Sequence, residues 1–239
     1  MTAEELWICL VLSVILLLSW HWLKRWGRRE SEKRYASMQR AENRTAWAGA
    51  RVRQSQAPLS AAPDAPVSFG DQTSWLAVRC AGSERVVEAI GLPNTVPANW
   101  AAGMPHAGID GVFVSPPLDG FVLVADGGIL PDEVPGAWER LLDTFPEVQL
   151  YASHRVSDYY RWERYVDGAL VRSCCWADGQ ITEDVGPLTP EEQAVMLAWL
   201  DHGDFPNEEA VLDIAAAWGV DPRFAKKPYQ ASTGWVCTL

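Results

Sequence analysis

The sequence lacks the residue patterns that usually announce chemistry. It holds four histidines, and the three in its body, His106, His154 and His202, stand 48 residues apart. Zinc ligands come in pairs a few residues apart, so no metal site is expected. It has no Cys-x-x-Cys. Five cysteines is an odd number; Cys9 sits in an apolar run, Cys174 and Cys175 are adjacent, and Cys80 and Cys237 are solitary. That is no disulfide framework, and it fits a reducing compartment. No G-x-x-x-x-G-K-[ST] occurs, and no G-x-G-x-x-G follows a strand, so no phosphate loop and no cofactor are expected. No G-x-S-x-G supplies a nucleophile elbow.

Basic charge is scarce where a nucleic-acid groove would need it. The net charge of −11 hides a division. Residues 24–58 hold ten Lys/Arg against three acids, whereas residues 59–239 hold ten against 26. An acidic body repels nucleic acid and attracts a basic protein partner, although solubility alone also favours such a surface. The basic stretch suits anionic lipid heads.

The one long apolar run is residues 6–23, LWICLVLSVILLLSWHWL. At 1.5 Å per residue it spans about 27 Å, close to a bilayer's hydrocarbon core. Glu4 and Glu5 precede it, and Lys24, Arg25, Arg28 and Arg29 follow. A cleavable signal peptide has the opposite charge order and a small-x-small site, so a retained single-pass helix is predicted. The basic flank places the N-terminus outside and the body in the cytoplasm. Trp20, Trp22 and Trp26 suit the headgroup layer.

Three segments follow: an anchor over 1–23, a basic stalk and Pro/Ala/Ser linker over 24–68, and an acidic soluble domain over 69–239. In that domain the apolar patterns predict a strand at 74–80 and a short helix from Ser83 to Gly91. A long irregular connection over 92–108 follows, a candidate lid or binding loop that Trp100 pins to the body. Strands at 111–116 and 120–126, a helix from Pro135 to Phe145 and a strand at 147–153 come next. The order β-α-β-β-α-β predicts an α+β, ferredoxin-like antiparallel sheet with both helices on one face. A hairpin around Asp167-Gly168 extends it, and DGQITEDVG after that is expected to be exposed. Two helices close the pattern. Thr189-Pro190-Glu191-Glu192 reads as a capping box opening the first, Pro206-Asn207 opens the second, and an irregular tail wraps the body.

The densest polar cluster is SHRVSDYYRWER, 153–164. Arg and Tyr carry interface energy well, so Arg155, Asp158, Tyr159, Arg161, Trp162 and Arg164, together with Trp100, are candidate partner-binding residues. An edge hairpin with alternating buried aromatics accounts for the same pattern. His154 beside a carboxylate or thiol would instead make a general base of a membrane-associated hydrolase or transferase. A structural or scaffolding role in the cell envelope is a third reading.

The apolar run, with a body passing from SWLAVRC through GFVLVADGG to ASHRVSDYYRWERYVDGALVRSCCW, resembles membrane-anchored immunity proteins that accompany bacterial toxins of contact-dependent or type VI secretion systems. The resemblance implies a bacterial inner-membrane protein that neutralises a toxin by direct binding, with no reaction of its own.

Overall fold

The computed structural model describes residues 59–70, 72–107, 111–126, 130, 134–200, 206–225 and 228–238. The chain divides into two compact units, Met1–Trp47 and Ala48–Leu239, and the described residues belong to the second. The elements are β1 (Ser74–Arg79), α1 (Ser83–Ile90), β2 (Asn94–Ala98), α2 (Trp100–Gly103), β3 (Gly111–Val114), β4 (Phe121–Ala125), α3 (Ala137–Thr144), β5 (Glu147–His154), β6 (Tyr159–Val166), β7 (Ala169–Ala177), β8 (Gln180–Val185), α4 (Pro190–Leu200), α5 (Glu208–Trp218) and β9 (Gly234–Thr238).

All nine strands lie in one antiparallel sheet, ordered β2-β9-β3-β4-β1-β5-β6-β7-β8. Strict alternation divides its side chains between two buried faces. Trp75, Phe113, Leu123, Tyr151 and Trp162 point to one face, where Val211, Leu212, Ile214 and Trp218 of α5 meet them. Leu76, Val78, Val112, Val124 and Val148 point to the other, under Val86 and Ile90 of α1 and Leu141 of α3. Trp75 and Tyr151 are cross-strand partners on β1 and β5, stacked with ring centroids 5.0 Å apart.

The ferredoxin-like fold predicted from the element order is not the fold. The sheet has nine strands, and helices cover both its faces. Three strands arise where the sequence predicted none: β8, in the stretch expected only to be exposed, and two more in expected loops. Residues 94–98, in the expected lid, form β2, and residues 234–238, in the expected tail, form β9, which inserts between β2 and β3. Neither segment carries an alternating apolar pattern; each is held by its partner's backbone. Gly111 and Gly234 allow that close approach, since a Cβ on Gly111 would overlap the Cys237 carbonyl oxygen and one on Gly234 that of Val114.

The expected linker also ends earlier than residue 68. Asp64 accepts hydrogen bonds from the backbone N–H groups of Trp100 (2.8 Å) and Ala101 (2.9 Å), satisfying donors that open α2. Asn99 adds bonds to the carbonyls of Ser60 and Ala62, so residues 59–70 run along the body as part of it.

Among the described residues, no helix is long and apolar enough to cross a membrane. The longest, α4 and α5, have 11 residues each. At 1.5 Å per residue that is about 16 Å, roughly half a bilayer core. The expected anchor over 6–23 and the basic stretch that follows it lie outside the described residues. The single-pass helix and the inner-membrane placement, with the N-terminus outside and the body in the cytoplasm, therefore have no support in this structure.

Candidate functional site at the β6–β8 end of the sheet

The cluster at 153–164 becomes the end of β5, a tight turn and β6. His154 is buried, and its Nδ1 lies 2.8 Å from Ser157 Oγ within that turn. The contact spans three residues and closes the turn, and it sets a hydroxyl against the ring where the catalytic reading needs a carboxylate or thiol. Asp158 follows with a left-handed backbone (φ 46°). Its carboxylate accepts from Trp176 Nε1 (3.2 Å) and Gly179 N (3.1 Å), which ties the turn to the β7–β8 hairpin.

Strand β6 then sends its side chains alternately to the two faces. On the α1/α3 face lie Tyr159, Arg161, Glu163 and Tyr165, opposite Cys175 and Ser173 of β7 and, beyond them, Glu183 of β8. Arg161 is ion-paired with Glu163 and stands 3.8 Å from Glu183. Ser173 Oγ bridges the two carboxylates at 3.3 and 2.8 Å, and Tyr165 donates to Glu163 at 2.9 Å. Burial, with the Glu163 charge next, pushes the Tyr165 phenol above its ordinary range. Burial opposes the Arg161 charge, but Tyr159 and Glu163 outweigh it and hold the guanidinium protonated.

The α5 face carries a second cluster. Arg172 is almost fully buried and forks onto Glu192, with Nη2 to Oε1 at 2.7 Å and Nε to Oε2 at 2.8 Å. It also pairs with Asp184 of β8. Glu192 sits at the start of α4. Its backbone N–H donates to Thr189 Oγ1 at 3.1 Å, and its carboxylate accepts from Thr189 N and from Trp162 Nε1. A carboxylate at a helix N-terminus is favoured by the exposed N–H groups there.

A third carboxylate, Glu147, joins Arg79 (2.7 Å) and Arg164 (2.8 Å) on the same face. Burial alone would raise its pKa. Hydrogen bonds from Gln149 and Arg79, with the Arg164 charge, overcome that and hold it below the ordinary value.

The expected partner-binding residues therefore divide. Arg155 is the most open, with 67% of its side chain exposed and Glu208 at 4.0 Å. Arg161 and Arg164 are part-buried and ion-paired within the chain. Tyr159, Trp162 and Trp100 are buried, and Trp100 packs on Phe113 and Phe224 inside the core. The sequence reading missed Glu183, Asp184 and Ser173. The signal was present in Arg161-x-Glu163, two opposite charges on one face of a strand, which mark a cluster needing further partners from the neighbouring strands.

Among the described residues, no group of three or more His, Cys, Asp or Glu could hold a metal ion. Cys80, Cys174, Cys175 and Cys237 are all buried.

No family model matches the chain, and neither a curated protein nor a solved structure is similar to it. The expected resemblance to immunity proteins of toxin systems, and the toxin–antitoxin role it implied, have no support in these comparisons.

Proposed function

We propose that this chain is a binding protein that holds a basic protein partner on its acidic surface and carries out no reaction of its own. One observation carries the reading: each described arginine has a partner within the chain, the loosest ion pair being that of Arg155 at 4.0 Å, and the carboxylates outnumber them. Arg79, Arg155, Arg161, Arg164, Arg172 and Arg223 face carboxylates. Arg140 donates to the carbonyls of Ala89 and Ile90 that end α1, and Arg85 lies over the Phe145 ring. With 26 acidic side chains against ten basic ones in residues 59–239, the balance at the surface is strongly negative. Such a field speeds the capture of a basic partner and weakens as salt screens it.

The test is affinity purification of the full chain from its native cells at low and at high salt, with mass spectrometry of what is retained. The expected result is one stoichiometric basic protein, released as salt rises. No stoichiometric partner, or an acidic one indifferent to salt, overturns the proposal.

A further inference from the structure

The two edges of the sheet are built differently. Strand β2 at one edge carries Pro97, which has no N–H to offer a neighbour. Strand β8 at the other edge, QITEDV, carries neither proline nor lysine, and among the described residues no strand pairs with its outer side. Its apolar residues stay open, Ile181 at 48% and Val185 at 38% exposure, and Leu170 and Val171 of the adjoining strand are 37% and 40% exposed. An uncovered edge of this kind offers a row of backbone donors and acceptors to an extended segment.

Charge selects the occupant. Behind β8, each face of the sheet holds one guanidinium and two carboxylates: Arg161 with Glu163 and Glu183 on one face, Arg172 with Glu192 and Asp184 on the other. The surplus carboxylate is in each case the one on β8, at the neighbouring positions 183 and 184. Register with β7 sets them on opposite faces, since Glu183 pairs with Cys175 and Asp184 with Cys174. A second copy of β8 laid antiparallel about its centre would set Glu183 opposite Thr182 and Asp184 opposite Ile181, supplying no cation to either surplus carboxylate. A strand bearing two consecutive basic residues would set one on each face, opposite each surplus charge.

We infer that β8 is a strand-addition site for an extended segment of a basic protein, with adjacent Lys/Arg residues set against Glu183 and Asp184 and apolar residues beside Ile181 and Val185. This rests on the proposed function and names where and how the partner sits.

The probe is a synthetic nonapeptide of alternating Val and Thr with a central Lys-Arg pair, titrated into the full chain with amide hydrogen exchange as a second readout. Its controls are the same peptide with N-methyl groups on alternate backbone amides and one with Glu-Glu at the centre. Saturable binding that protects β8 amides, is lost on N-methylation, and falls about tenfold in the double variant Glu183→Gln/Asp184→Asn is the expected result. The Glu-Glu peptide should not bind. Equal binding of the N-methylated peptide, or protection elsewhere, overturns strand addition while leaving a basic partner in place. No binding of any peptide overturns the β8 assignment, and the purification experiment then judges the wider reading separately. Dimerisation of the full chain that protects β8 without peptide would give the edge to a second copy and also overturns the inference.

Discussion

Arg172 and Glu192 stand 20 residues apart in the chain and meet through a two-pronged contact of 2.7 and 2.8 Å, with side-chain exposures of 3% and 0%. Removing Arg172 leaves the Glu192 charge buried without its counter-ion, and removing Glu192 leaves Arg172 only the partly exposed Asp184. Arg172→Ala or Glu192→Ala is expected to cost about 3–5 kcal/mol, read as a lowered midpoint in urea unfolding. Arg172→Met with Glu192→Leu should recover most of that loss, because two apolar side chains leave no charge behind. If the double variant is no more stable than the single ones, the ion pair is not what joins α4 to the sheet.

Glu147 gives the stability a sign with pH. Its folded pKa lies below the ordinary value of 4.5. Its contribution is therefore complete above about pH 4.5 and is lost as the pH falls through the lower folded value. Unfolding free energies measured from pH 7 to pH 3 should drop on the acid side, and Glu147→Gln should flatten that limb. An unchanged acid slope in the variant would place the linkage on another carboxylate.

The body thiols should be silent in the folded chain. Burial pushes Cys174 up to about 12 and Cys237 up to about 11, so little thiolate forms near neutrality. A thiol reagent at pH 8 should label Cys80, Cys174, Cys175 and Cys237 only after denaturant is added. Labelling of Cys174 or Cys175 under native conditions would mean that β7 is more accessible than its burial indicates.

Trp75 and Tyr151 anchor the α5 face, both at 0% exposure. Trp75→Ala removes one of the four buried tryptophans of that cluster, and the expected loss is about 3–5 kcal/mol in denaturant unfolding. A loss well under this would show that α5 can settle into the space.

Asp64 holds residues 59–70 to the start of α2. Asp64→Ala should lower stability by about 1 kcal/mol, as loss of a helix cap does. It should also open this stretch to limited proteolysis ahead of the rest of the body. Equal protease resistance in both proteins would show that Asn99 and its bonds to Ser60 and Ala62 suffice.

What could be read in advance followed from contacts close in sequence. The strands at 74–79, 121–125 and 147–154 announce themselves by β-branched and aromatic content, and the hairpin at Asp167-Gly168 by its turn residues. The box at Thr189 and Glu192 is legible because its two bonds close within three residues. The candidate site was legible only in part. The arginines of 153–164 stood out against an acidic body, but alternation along β6 sends Arg161 and Arg164 to opposite faces. There Arg161 meets Glu183 besides the Glu163 of its own strand, and Arg164 meets Glu147, each of Glu183 and Glu147 a carboxylate brought by another strand. No local pattern states which carboxylate that will be.

By itself, the amino-acid order determined the acidic balance of the body, its turns and caps, and the alternation that gives each central strand two apolar faces. These depend on side-chain type and on spacings of two to four residues. Tertiary structure alone decided that residues 94–98 and 234–238 are strands, that helices lie on both sides of the sheet, and that β8 is left at its rim. Those outcomes depend on which backbones find each other across more than a hundred residues, and a pairing of backbone N–H and C=O groups leaves little trace in the side chains that carry it.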